Sequence, residues 1–600
     1  MAASFRRRFS TSERTLSFRM RIGVAILLAM LLLLGGRLFH VQGLDPAGHA
    51  QQAVDERLRS VPIPAERGDI LDTSGNVLAT SVERYDIVVD QRLVEDFTRR
   101  SEVTDLRETV SVDTAIAELA EVLDVDEDEL SDDMTGDEPY SVLARAVTPE
   151  EQHEAMDIGI PGLYAEPVSE RSYPSGSVAG SVLGFMGSDG PLEGIESAQE
   201  DHLGGTDGER IYEIGADGVR IPTATFEELP AEDGQDVQLT LDQDLQWFAQ
   251  EAIAAKANQY NAQWGNATVV DLKSSEILAM ADSETVDPTN PGATDELFRR
   301  PLALTQDFEP GSTGKAITFA AALEEGTVNP TDEFTVPHEY DIDGETINDA
   351  TKHPTLDMTA AGIFARSYNT GTVMVGSELD EQTRYDYMTD VGIGSPMDIG
   401  LGTEAASTLG TPSEWDPRQP LTTQFGQGYT TSVLHNVQTF QAISNGGVRT
   451  PLKLIDSYVD PDGTEHPVSN DDESRRVFSE ETSEDMMRIM EGVVEYGTGT
   501  EAAIPGYRVG GKTGIGEAAG AAGGFDGHTI SFIGVAPLDD PQYVVAVTVH
   551  RPQGDWQDWV VADTFREIMS HVLSTQDVAP TGDEDQAYDG FAGNNQDQPW

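Results

Sequence analysis

The chain has 600 residues, 38% of them hydrophobic, enough for two domains with cores of their own. It contains no cysteine and its eleven histidines form no H-E-x-x-H cluster, so disulfides and thiolate catalysis are excluded, no metal site is expected, and chemistry falls to hydroxyls, amines and carboxylates. With 106 acidic against 37 basic residues the formal charge is −69, a surface that repels nucleic acid and stays soluble at high ionic strength.

In chain order, residues 1–21 form a short tail rich in arginine (Arg6, Arg7, Arg8, Arg14, Arg19, Arg21). Residues 22–41 follow as an apolar run of about twenty, the length of one bilayer span, with Arg37 and His40 at its interface. The positive-inside rule places the tail in the cytoplasm and the rest of the chain outside. A cleaved signal peptide is the alternative; the length of the run and the lack of an Ala-x-Ala site oppose it.

Residues 42–235 mix short strand-like runs, such as Tyr85 to Val89, with a helical stretch from Val112 to Leu123 and many Gly and Pro turns. This reads as an elongated pedestal without catalytic groups. The acidic run Asp124-Val125-Asp126-Glu127-Asp128 resembles the start of a calcium loop, but Glu129 stands where such a loop needs Gly and Thr135 where it needs Glu, so no calcium site is expected.

From 236 to 575 the pattern predicts a second domain: early strands at Ala267 to Leu272 and Glu276 to Ala281, a helical middle, then strands at Arg508 to Gly516, Thr529 to Val535 and Tyr543 to His550 and an amphipathic helix from Val560 to Leu573. Early and late strands can share one antiparallel sheet flanked by helices, an α+β fold. Residues 576–600, rich in Asp, Gly, Asn and Gln, are expected to be a disordered tail.

Only six lysines occur, and two of them complete motifs. Ser312-Thr313-Gly314-Lys315 follows a turn signal and opens an Ala-rich segment, so it reads as a first helical turn that puts Lys315 on the same face as Ser312. Serine is a poor nucleophile until a base takes its proton. A lysine can be that base only with a neutral amine, which needs burial or a neighbouring positive charge, and Lys512 could supply the charge. Ser367-Tyr368-Asn369 offers a hydroxyl and a carboxamide for one cleft. Lys512-Thr513-Gly514 sits on a strand whose glycines admit a substrate backbone. The N–H groups of Ser312 and Ile515 are candidate stabilisers of a tetrahedral oxyanion. Singly these motifs are weak; in this order they are strong.

The ordered set resembles the penicillin-binding proteins and serine β-lactamases. Arg67-Gly68-Asp69, Arg171-Ser172-Tyr173-Pro174, Gly194-Ile195-Glu196 and Leu203 to Gly208 are similar to segments of the class B penicillin-binding proteins, in motifs nearer the septal division type than the elongation type. The resemblance implies a penicillin-binding transpeptidase fold with a five-stranded antiparallel sheet. It implies a D,D-transpeptidase that cross-links peptidoglycan stem peptides without a cofactor and is covalently inhibited by β-lactams. It also assigns catalytic roles to Ser312 (nucleophile), Lys315 (base), Ser367 (proton relay) and Lys512 (electrostatic partner), and substrate binding to Asn369, Thr513, Gly514 and Ile515. A partner membrane glycosyltransferase and other division proteins are expected. An elongation-type transpeptidase, a D,D-carboxypeptidase and a non-catalytic division scaffold remain alternatives. One position departs: Ile515 stands where the family usually carries Thr or Ser, whose hydroxyl helps to hold a substrate or drug carboxylate.

Overall fold

The computed structural model describes residues 11–39, 58–100, 107–213, 226–402, 407–469, 474–520, 524–557, 559–582 and 584–592. Residues 1–10 of the predicted N-terminal tail and the end of the predicted C-terminal tail, 593–600, lie outside them. The chain divides into two units, Met1–Ala65 with Thr206–Glu232, and Glu66–Gly205 with Asp233–Trp600. The first contains the helix Thr11–Phe39, whose segment Phe18–Phe39 is, among the described residues, the one helix long and apolar enough to cross a membrane. It also contains an antiparallel sheet of Leu58–Ile63, Gly208–Glu213 and Phe226–Leu229.

The larger unit contains the long strand Val77–Val89, which pairs with Ser141–Val147 and Leu163–Ser172. The helix Val112–Leu123 lies where the apolar periodicity puts it, capped by Ser111 and ended by Asp124 in the left-handed region. Its Ile116 and Leu119 pack with Ile87 and Val89 in a core of their own. The acidic run beyond it is a helix junction: Asp126 accepts from the N–H groups of Asp128 and Glu129, capping the helix Glu127–Met134. At the predicted junction of 235 and 236 the strand Asp236–Leu239 pairs in parallel with Ile70–Leu71 and antiparallel with Ile455–Val459, so one sheet runs through the pedestal segment and the later part of the chain.

The motifs read as class B signatures converge on one buried carboxylate. Glu196 is fully buried and takes Arg67 Nε at 2.8 Å, Arg171 Nε at 2.7 Å and the Tyr173 hydroxyl at 3.2 Å. Gly68 follows Arg67 because a Cβ there would stand 2.0 Å from the Gln235 carbonyl oxygen.

The later part of the chain is built on a five-stranded antiparallel sheet of β1 (Trp264–Asp271), β2 (Ile277–Asp282), β3 (Gly510–Ala519), β4 (Phe525–Ala536) and β5 (Tyr543–His550), in the order β2-β1-β5-β4-β3. β1, β5 and most of β4 are buried on both faces, which is why they read as near-continuous apolar runs. One face is covered by the helices Gln243–Gln259 and Ala562–Thr575, with Phe565 on Phe532. The other carries the helices of the active-site half, among them Lys315–Glu324, Val433–Ser444 and Glu480–Glu495. Strand β3 forms the open edge.

The predicted disordered tail is corrected over its described part. The Tyr588 hydroxyl donates to Asp485 at 2.6 Å and its ring lies 3.8 Å under the Arg488 guanidinium, while Phe591 is buried beside Met358. Main-chain carbonyls do the rest: Asp589 O accepts from the Thr359 hydroxyl at 2.6 Å and Gly590 O from the Thr359 N–H at 3.2 Å. Two aromatic anchors and backbone pairing suffice where average composition points to disorder.

Candidate active site

Three glycines bring the motifs together. Gly311 is left-handed at φ +57°, and a Cβ there would lie 2.1 Å from the Ile515 carbonyl oxygen; one on Gly426 would lie 1.8 Å from Gly311 O, and one on Gly516 1.9 Å from Glu309 O. The Gly311–Gly314 turn is thereby pressed between edge strand β3 and the Gly426 turn. The turn is a 3-10 helix and the α-helix proper begins at Lys315, so the predicted helical turn holds while its start shifts.

The Lys315 side chain is fully buried. Its Nζ donates to the Ser367 carbonyl at 2.6 Å and lies 3.3 Å from Ser367 Oγ. Burial first, and then the charge of Lys512, hold the Lys315 amine well below the usual lysine range, with Asp349 pulling weakly the other way. Lys512 is also fully buried, on β3, with Nζ 5.5 Å from the centre of the Phe364 ring and donating to Thr513 O at 3.3 Å.

Ser367 and Asn369 lie on the turn between two helices. Ser367 ends the helix Ala360–Arg366 in the left-handed region at φ 60°, and Asn369 begins the helix Asn369–Gly376. A non-glycine residue there carries strain of order 1–2 kcal/mol, which the two helices and the Lys315 bond hold in place. Asp349 secures the second helix by accepting from the N–H groups of Asn369 and Thr370, the latter at 3.1 Å.

Ser312, Ser367, Asn369, Thr513, Gly514 and Ile515 all line one cleft of about 420 Å³, to which Arg366, Glu517 and His528 also contribute. The Thr513 hydroxyl lies 2.7 Å from that of Thr498. All eight predicted site residues therefore meet in or directly beneath this cleft. The sequence reading missed Asp349, which nothing local distinguishes from its acidic neighbours Asp341, Asp343, Glu345 and Asp357. It also expected no cluster of metal-ligand type. His338, Asp349 and His353 each bring one ligand atom within 4.8 Å of the others, because the hairpin of Glu339–Ile342 and Glu345–Asn348 folds His338 back onto Asp349.

Residues 265–570 match the penicillin binding protein transpeptidase domain family, and residues 62–191 the penicillin-binding protein dimerisation domain family. The chain belongs to the class B penicillin-binding proteins. It is 32% identical over 594 residues to penicillin-binding protein PbpB of Mycolicibacterium smegmatis, covering 94% of this chain and 91% of the relative. It is 30% identical to peptidoglycan D,D-transpeptidase FtsI of Escherichia coli, covering 94% and 93%. A solved peptidoglycan synthetase from Bifidobacterium adolescentis superposes with a TM-score of 0.72 at 32% identity, covering 88% of this chain and 99% of that one. As a class B penicillin-binding protein the chain is a serine-type D,D-transpeptidase, and its apolar N-terminal helix is a membrane anchor.

Proposed function

We propose that Ser312 cross-links peptidoglycan stem peptides by acyl transfer, with Lys315 as base, and that the protein does so in septal wall synthesis. The observation that carries this reading is the buried Lys315 amine. A neutral amine has two N–H groups and one lone pair; Ser367 O and Oγ are placed to take the two hydrogens, which leaves the lone pair for the Ser312 hydroxyl one turn away.

Ser312 Oγ attacks the penultimate D-Ala carbonyl while Lys315 takes its proton. The oxyanion is met by the N–H groups of Ser312 and Ile515. In a strand the N–H and C=O of one residue share an edge, and the Ile515 carbonyl faces Gly311, so its N–H faces the nucleophile turn as well. The C–N bond to the terminal D-Ala then breaks, with Ser367 passing a proton to the leaving amine. An amine of a second stem attacks the acyl-serine and restores the Ser312 hydroxyl. Asn369, Thr513, Gly514 and Ile515 hold the donor backbone. The relatives named PbpB and FtsI support the septal role, and the arginine-rich start of the chain supports a cytoplasmic N-terminus with the catalytic domain outside. A membrane glycosyltransferase supplying the glycan strands and other division proteins are the proposed partners, and β-lactams the covalent inhibitors.

The test is a stem-peptide reaction with and without an amine acceptor. D-Ala release coupled to a cross-linked product supports the reading; release with water alone as acceptor indicates a carboxypeptidase, and no release a scaffold.

Two expected results follow from the same geometry. The rate of acylation by a penicillin rises with pH as Lys315 loses its proton. The Lys512 charge lowers the Lys315 pKa, so Lys512→Met moves the acid limb to higher pH besides slowing the reaction; a limb that stays in place removes Lys512 from this role. Ile515→Thr restores a hydroxyl toward the drug carboxylate, and a hydrogen bond to a charged group contributes about 1.5–3 kcal/mol, so acylation by benzylpenicillin is roughly ten- to a hundred-fold faster in the variant. Stopped-flow labelling measures both, and an Ile515→Thr rate equal to the parent's refutes the second.

A further inference from the structure

Behind the cleft lies a group of side chains that the acyl transfer does not use. His338 precedes and Asp349 follows the hairpin of Glu339–Ile342 and Glu345–Asn348, closed by the Asp349 N–H donating to His338 O at 3.1 Å. His353 stacks on Tyr368, between Ser367 and Asn369, with ring centres 4.2 Å apart. The side chains of Asp349 and His353 are only 2% and 7% exposed.

Hydrogen bonding in this group does not balance for a neutral imidazole beside an ionised carboxylate. The Pro354 carbonyl, 2.7 Å from His353 Nδ1, can only accept, so Nδ1 carries the hydrogen and Nε2 of a neutral ring presents a lone pair. That lone pair faces Asp349 Oδ2, another acceptor, at 2.9 Å. His338 Nδ1 is buried without a hydrogen-bond partner, a condition that buried polar atoms rarely tolerate. A proton on His353 answers the first mismatch and leaves the second. A divalent cation drawing on all three side chains answers both.

We propose that His338, Asp349 and His353 bind a zinc-class divalent cation through two imidazole nitrogens and one carboxylate oxygen, with water as fourth ligand. Nitrogen and oxygen ligands at roughly 2.0–2.1 Å from zinc lie about 3.3 Å from one another in a tetrahedron. The three ligand atoms, within 4.8 Å of one another and as near as 2.9 Å, reach that spacing by small side-chain rotations. The other carboxylate oxygen, Oδ1, accepts from the Asn369 and Thr370 N–H groups, so the cation fixes the carboxylate that orients the Asn369 turn. This is a positioning role, and it stands whether or not Ser312 is the nucleophile.

The test uses the full chain, purified in detergent without a histidine tag and stripped with chelator, then titrated with Zn²⁺ in roughly 0.5 M NaCl to screen the acidic surface. The expected result is one tightly held zinc per chain, with a zinc-dependent rise in the unfolding midpoint. In His338→Gln and His353→Gln affinity falls at least a hundred-fold and the rise disappears. His338 Nδ1 has no hydrogen bond to lose, and an unchanged midpoint of His338→Gln in chelator separates loss of zinc from loss of fold. No zinc uptake by the parent chain, or equal uptake by His338→Gln, overturns the proposal.

Discussion

Ser312→Ala removes the covalent mark that a fluorescent penicillin leaves on the chain and lowers cross-linking by roughly 10⁴- to 10⁶-fold. The size of the effect follows from where Ser312 sits. It is on a turn pressed against β3 by close contacts of Gly311 and Gly516, one helical turn from a fully buried amine and in one cleft with Ser367, Asn369 and Thr513. The other hydroxyls of the cleft lack that amine geometry: Ser367 is strained and bonded to Lys315, and Thr513 pairs with Thr498. Without Ser312 the cleft retains binding and oxyanion donors but has nothing to acylate. Mass spectrometry of the labelled chain locates the adduct. A label that persists in Ser312→Ala assigns the nucleophile elsewhere, and wild-type growth on Ser312→Ala as sole copy establishes a scaffold role.

Glu196→Ala lowers the unfolding free energy of the pedestal segment by about 3–5 kcal/mol, the cost of stripping a buried carboxylate from its partners. Glu196 is 0% exposed, Arg171 5% and Arg67 12%. Arg171 would keep its charge and lose its carboxylate partner, Arg67 would be left with Glu200, and the Tyr173 hydroxyl would lose its acceptor. Glu196→Gln keeps a side-chain acceptor but not the charge, and loses less. Urea unfolding of the full chain, followed by tryptic cleavage within residues 66–205, measures both; a loss under 1 kcal/mol for Glu196→Ala would show that water replaces the carboxylate. Since Arg67 and Arg171 come from separate motifs, Arg171→Ala is expected to cost nearly as much.

Much of this could be read without a structure. The strands β1, β2, β4 and β5 lie within a few residues of their predicted positions because their apolar runs have strand length and turn residues at the ends. The helix Val112–Leu123 matches its predicted span because both ends carry local signals. The candidate site residues stood out for a different reason. Each needs a fixed residue type at a fixed spacing, and in a chain with six lysines two that complete ordered motifs stand out.

What escaped depended on partners far away in sequence. The tail beyond residue 576 looks disordered by composition, yet Tyr588 and Phe591 find partners about 100 and 230 residues earlier. The conformation of the Ser367 turn is set by the two helices it joins and by Lys315, so its left-handed backbone carried no local sign. The metal-type cluster was invisible because its spacing matches no local motif until a hairpin folds it together.

The sequence by itself determined the chemistry available to this protein: hydroxyl and amine catalysis without thiols, an apolar anchor, an acidic surface and three ordered motifs. Only the tertiary structure decided how that chemistry is tuned. Whether Lys315 is neutral, whether Glu196 can be charged, and whether His338 and His353 share a ligand all depend on burial and on atoms brought within a few ångströms. Those are properties of the folded chain, since the free energy of a charge is set by the water it loses and the partners it gains.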